Sequence, residues 1–393
     1  MPFDLNQAKE QPAAPARDNP LVKKKEGFFF RNRYILLAFA VPFLLMLYAF
    51  AQNDLFPFGD KQIMVIDMWH QYFPFLKVLQ EKLTSFDSLL YTWDTGLGSN
   101  FLNLIAYYAS SPLNLITVFF PVEYLREAMA LIVLMKIGLS GAFFAIYLRG
   151  LFKKCDIGAV AFSTLYALCA YAMGYYWCLM WLDVMAMLPL VVLGVHKIID
   201  EGKYRLFVIS LGIAIIANYY IAMMMCIFVF FYYFILYFSK RSGKEDRGLT
   251  HLILGWVIGA AAGALCGIVY QLAGGNSFKS EGFVSSVLVW AGLGLVLGML
   301  VAVVLYLALP GKRDKRDFLA TTLRMGASAL GGVALSAVLL LPTWFGMQNA
   351  YAMSNTMPQN VTFYNPIMDV FNNLLTAQTP TVRGGLPNIA CGM

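Results

Sequence analysis

Charge is scarce in this sequence. Asp, Glu, Lys and Arg make up 13% of its 393 residues, against roughly 25% in ordinary soluble domains. That shortage excludes a soluble cytosolic enzyme and a disordered chain. Only three histidines and six cysteines are present. No C-x-x-C pair occurs, and no His/Cys/carboxylate cluster falls at ligand spacing, so no metal site and no disulfide scaffold is predicted. Cys155, Cys169, Cys178, Cys226, Cys266 and Cys391 are read as small buried hydrophobes. A Walker loop is absent, which leaves ATP-driven transport by this chain without support.

Apolar residues dominate instead. The hydrophobic fraction is 60%, with 31 Phe, 22 Tyr and 20 Met. The apolar runs are many, long and evenly spread, as in a polytopic membrane protein. The formal net charge of +7 sits in short clusters between those runs and not along one face, so nucleic acid is not the expected partner. A spanning helix needs about 20 apolar residues. Nine candidates fit: roughly 34–51, 127–148, 158–179, 184–199, 204–220, 221–238, 250–271, 283–309 and 319–342. The stretch 204–238 is too long for one crossing and is cut near Asn218-Tyr219-Tyr220.

Basic clusters orient the chain. Lys23, Lys24, Lys25, Arg31 and Arg33 precede the first span. Arg149, Lys153 and Lys154 follow the second; Lys197, Lys203 and Arg205 follow the fourth. Lys240, Arg241, Lys244 and Arg247 follow the sixth, and Lys312, Arg313, Lys315 and Arg316 the eighth. All five fall on one side if the N-terminus is cytoplasmic and the spans alternate, as the positive-inside rule requires. The predicted organisation is a disordered basic tail at 1–33, a transmembrane region at 34–342 with a long outer loop at about 52–126, and an extracytoplasmic segment at 343–393. The first span is read as an uncleaved anchor. Gly255, Gly259, Gly263 and Gly267 recur every four residues and predict close approach of a neighbouring helix. Gly292-Leu293-Gly294 lies inside an apolar span and is read as helix packing, not a dinucleotide fingerprint.

The first outer loop carries the chemistry. It is too long for a simple connection and too aromatic for disorder: IDMWHQYFPF at 66–75, YTWDTGLGSN at 91–100 and YYASSPLNLITVFFP at 107–121. Tyr72, Leu76, Leu79 and Leu83 form an apolar stripe at helical spacing, predicting an interfacial helix. Asp67 just precedes it, with His70 and Gln71 at i+3 and i+4 on its face if the turn is helical. A half-buried carboxylate at the membrane face can deprotonate a hydroxyl nucleophile; the plainer role is a helix N-cap. Asp183, beside Trp181 in an expected outer turn, is the second acidic candidate. Asp94 is read chiefly as a turn residue. His196 and His251 fall at expected cytoplasmic ends.

The motifs D-x-x-x-QYFPF, W-D-x-G-x-G, YY-x-x-SPLNL, WLD-x-x-x-x-LPL and NYYIAMM occur in that order. Together they resemble the YfhO family of bacterial membrane proteins, which in turn resembles the GT-C class of glycosyltransferases. The resemblance covers about 34–393. It implies transfer of a sugar from a polyprenyl-phosphate carrier to an acceptor outside the cytoplasmic membrane, such as lipoteichoic or wall teichoic acid. It places an acidic residue acting as general base in the first outer loop, which is Asp67 here, with Asp183 as a second acidic residue facing the site. Trp69, His70, Gln71, Tyr72, Trp93, Asp94, Tyr107, Tyr108 and Arg126 are the expected substrate-contacting residues. A divalent metal is compatible with the class, but no ligand set in this sequence calls for one. Family members are longer, so the chain is expected to be either a fragment of a longer protein or a truncated relative. Two rival readings remain: a flippase or transporter of lipid-linked sugars, and a non-catalytic scaffold for envelope assembly. Lys136 is the one marked mid-span charge, expected to snorkel or pair.

Overall fold

A computed structural model describes residues 27–241, 248–275, 283–308 and 315–348. Residues 1–26 of the expected tail at 1–33, nearly all of the expected segment 343–393, Cys391 and the basic residues Lys244, Arg247, Lys312 and Arg313 lie outside the described residues. Phe28–Arg31 forms a single helical turn.

The protein is an all-α polytopic bundle. Among the described residues, eight helical stretches are long and apolar enough to cross a membrane. In chain order the helices are α1 (Arg33–Gln52), α2 (Phe73–Ser85), α3 (Leu125–Phe152), α4 (Ile157–Ala167), α5 (Ala170–Tyr175), α6 (Leu179–Glu201), α7 (Arg205–Ala217), α8 (Tyr219–Arg241), α9 (Gly248–Ala273), α10 (Phe283–Ala308) and α11 (Lys315–Met347). The fifth of the nine expected spans is α7, only 13 residues long. At 1.5 Å per residue it rises about 20 Å, less than a full bilayer. It still joins the two ends of the bundle, because loop residues 105–119 come in to meet it: the Ser110 hydroxyl donates to Ile216 O at 2.6 Å.

The ends of the bundle are chemically distinct. At one end, Lys240 of α8 pairs with Asp200 of α6, and Tyr237 of α8 donates to Asp317 at the start of α11. The close of α6, the close of α8 with Lys240, and the start of α11 with Lys315 and Arg316 therefore share an end. The long first loop occupies the opposite end, where Asn100 and Asn103 abut Gly346 near the close of α11.

Two boundaries differ from the sequence expectation. The third span breaks at Leu168-Cys169 between α4 and α5. α6 begins at Leu179, so Trp181-Leu182-Asp183 is its first turn and not a loop. An aspartate reads as a loop marker only while its charge lacks a partner; this one is neutralised inside the protein. The stripe Tyr72, Leu76, Leu79 is buried together with Ile105, Met129 and Ile132, so α2 presses its apolar side onto protein. Gln80, on that buried side, donates to Thr117 O and Phe120 O at 2.7 and 2.6 Å, which anchors α2 to the loop.

The four glycines of α9 do meet a neighbour. A Cβ on Gly259 would stand 2.2 Å from Gly294 O, and one on Gly263 2.1 Å from Trp290 O. Backbone lies on backbone along the α9–α10 pair, the contact that small residues permit in lipid. Gly294 joins this contact while Gly292 faces open space. Among the described cysteines none is in a disulfide; Cys178 is buried, Cys266 is exposed, and Cys155, Cys169 and Cys226 are half-buried.

Candidate functional site

Two wide helical turns face each other at the loop end. The first is a π turn at Met68–Tyr72, preceded by Asp67. Ile66 holds a left-handed φ of 46°, a strained conformation for a β-branched residue that costs about 1–3 kcal/mol and clusters at functional positions. Behind it the chain closes tightly, with Trp69 N and His70 N both donating to Ile66 O. The second is a π turn at Ile105–Ala109, which carries Tyr107 and Tyr108. π turns recur at functional sites because their extra residue shifts side chains out of the regular helical register.

That register decides which residues meet. Met68 and Tyr72 point inward and are buried, while Trp69 and His70 are exposed and Gln71 is half-buried. Tyr72 and Tyr108 stack obliquely with centroids 5.6 Å apart. Tyr107 touches Tyr108 at 4.6 Å and reaches Tyr219 and Tyr220 of α8 at 6.1 Å each. The Tyr72 hydroxyl donates to Cys178 Sγ at 3.6 Å, just before α6. Tyr219, Tyr220 and Cys178 had no loop motif to mark them; only the NYY run at 218–220 hinted at two of them.

Asp67 is half-buried beside this cluster. Its carboxylate makes no side-chain cap to the turn that follows, so the plain N-cap role is not the one it plays. No hydrogen bond or ion pair engages it among the described residues. Its charge does reach the neighbouring hydroxyls. Burial first, then the Cys178 thiol and Asp67, push the Tyr72 hydroxyl far above its ordinary range. Burial, Tyr107 and Asp67 push up Tyr108, and burial raises Tyr107. Burial raises the Cys178 thiol to about 12, although the Tyr72 hydrogen bond works against it. The cluster therefore offers protonated hydroxyl donors around one uncommitted carboxylate.

Asp183 is placed differently. It is buried, and both its oxygens are engaged: Ser111 Oγ donates to Oδ1 at 2.8 Å and Lys136 Nζ to Oδ2 at 2.7 Å. Lys136 also donates to Leu179 O at 2.9 Å. Trp93 and Asp94 sit in the turn of a two-stranded hairpin, Tyr91–Thr92 (β1) with Ser99–Asn100 (β2). Asp94 accepts from Thr92 Oγ1 at 2.8 Å, and Trp93 is exposed, edge-on to Tyr91. Arg126 lines a separate crevice with Lys61, Gln62 and Glu127. So the structure brings Asp67, Tyr72, Tyr107 and Tyr108 together, and sets Trp93 and Asp94 elsewhere on the loop and Arg126 in the first turn of α3. Among the described residues no group of three His, Cys, Asp or Glu could hold a metal ion.

Residues 38–272 match the family described as bacterial membrane protein YfhO. This chain belongs to the YfhO family. The matched stretch takes in the whole loop, Asp67, Lys136, Asp183 and Asn218, and ends at the close of α9. No match was found among curated proteins or among solved structures. Family membership and the eight apolar helices make this a multi-pass membrane protein.

Proposed function

We propose that this YfhO-family protein is a membrane glycosyltransferase of the GT-C type. It moves a sugar from a polyprenyl-phosphate carrier to an extracytoplasmic envelope acceptor such as lipoteichoic or wall teichoic acid. One observation carries the reading. Asp67 is a half-buried carboxylate with no hydrogen-bonded or ionic partner among the described residues, set behind a strained residue and among tyrosine hydroxyls, whereas both oxygens of Asp183 are occupied.

In this mechanism Asp67 accepts the proton of the acceptor hydroxyl as that oxygen attacks the anomeric carbon. The bond from that carbon to the carrier phosphate breaks, and the phosphate departs with the electron pair. Tyr107, Tyr108 and Tyr72 supply aromatic faces and hydroxyl donors to the sugar.

The test is Asp67→Asn in the full-length protein, with sugar content of envelope polymers compared at equal protein level. General base catalysis is worth about a hundredfold or more in rate, so glycosylation falls to background. Unchanged glycosylation removes Asp67 from the mechanism.

A second reading has its own support. The buried Lys136–Asp183 pair and the breaks at Leu168 and Asn218 are features of transporters. A flippase would move lipid-linked sugar across vesicles with Asp67→Asn in place, and would transfer none.

A further inference from the structure

The Lys136 ammonium is fully buried and hydrogen-bonds to two groups, Leu179 O and Asp183 Oδ2, that lead to the two walls of the aromatic cluster. One wall is Tyr72, whose hydroxyl rests on Cys178. Lys136 holds the carbonyl of the very next residue, Leu179, at 2.9 Å. The other wall is the turn bearing Tyr107 and Tyr108. Lys136 holds it through Asp183 Oδ2 at 2.7 Å, whose Oδ1 receives Ser111 Oγ at 2.8 Å. Ser111 follows Tyr108 by three residues and caps the next turn, accepting from Leu113 N at 3.3 Å.

We propose that Lys136, acting through Asp183 and Ser111, is a positioning residue that sets the separation of the Tyr72–Cys178 and Tyr107–Tyr108 walls. It contacts no substrate. The proposal rests on the reading of the Asp67 cluster as the reacting site. Holding helices together does not require charge here, since a well-packed apolar pair stabilises a buried site at least as well as an ion pair. What an apolar pair cannot do is grip a carbonyl and a serine hydroxyl at fixed distances. Those two grips lie at the residues adjoining the two walls.

The experiment uses the full chain in detergent micelles and peptide-resolved maleimide labelling. Two variants are compared with wild type: Lys136→Met, and Lys136→Met combined with Asp183→Leu. The paired change guards against misfolding from an uncompensated carboxylate. In the paired variant the unfolding midpoint stays close to wild type, Cys226 labels at its wild-type rate, and Cys178 labels about tenfold faster through local opening. Sugar transfer falls in kcat with KM retained. Cys178 protected as in wild type overturns the proposal. So do Cys178 and Cys226 loosening together, because that is global destabilisation and not positioning. The labelling result does not depend on transfer: a wild-type protein that transfers no sugar counts against the proposed function, while the protection of Cys178 still decides the role of Lys136.

Discussion

The side-chain amide of Asn218 donates to the backbone oxygen of Tyr107 across 2.9 Å. The same side chain accepts from Ile221 N at 2.8 Å, and Asn218 is wholly buried in an extended conformation between α7 and α8. One residue thus ends a short helix, caps a long one and fastens the Tyr107 turn. Asn218→Leu strands a backbone carbonyl and a backbone N–H, each at about 1–3 kcal/mol. A lowered unfolding midpoint in detergent is the expected outcome. A midpoint equal to wild type would show that the Tyr107 turn is held without this bond.

The α9–α10 pair makes an opposed prediction for two kinds of glycine. Gly259→Ala and Gly263→Ala push a methyl into the carbonyls of Gly294 and Trp290, and should cost about 1–3 kcal/mol as overpacking does. Gly292→Ala and Gly326→Ala meet nothing within 4 Å, and should be neutral or gain up to about 1 kcal/mol of helix propensity. Thermal unfolding of the four variants separates the groups; equal effects would mean that α9 and α10 do not touch along their glycines.

The Cys178 thiol gives a pH dependence of known sign. Its ordinary value is 9.0, and burial raises it to about 12 in the folded protein. Below 9 the thiol is neutral in both states and its contribution to stability is fully present. Between 9 and 12 the unfolded chain ionises while the folded one does not, so stability is lost as pH rises. Tyr72, Tyr107 and Tyr108 are also raised and act in the same direction above 10.0. Melting temperature should therefore fall between pH 9 and 12, and fall less in Cys178→Ala. At about pH 8, native protein should label at exposed Cys266 and not at Cys178. A flat melting curve in both proteins would remove the buried thiol from the account.

The positive-inside pattern predicts orientation. Reporter fusions in the 93–98 turn should report the outside, and fusions after Lys154 or Lys203 the cytoplasm. A cytoplasmic signal from the 93–98 turn would put Asp67 on the side opposite to any extracytoplasmic acceptor.

The class of fold is legible from local pattern, because a run of some 20 apolar residues has few uses besides crossing a bilayer. The α9 glycines, spaced by four, already announced a close helix contact, and the α7–α8 break falls where Asn218-Tyr219-Tyr220 interrupts the apolar run. Charge is where the pattern misleads. Asp183 looked like a loop residue because its neutralising partner, Lys136, is 47 residues earlier, and hydropathy is blind to a partner at that distance. The loop motifs marked Asp67, Tyr72, Tyr107 and Tyr108. Which of them meet depended on how the two π turns pack against each other, bringing Tyr72 onto Tyr108 and leaving His70 exposed.

Sequence alone determined that this chain is a helical membrane bundle with one aromatic, acidic loop, since solvation in lipid is a property each segment carries by itself. Only the tertiary structure decided that Asp183 is bound and that Asp67 is unclaimed among the described residues, since whether a carboxylate is neutralised depends on which side chains the packing brings within 3 Å of it.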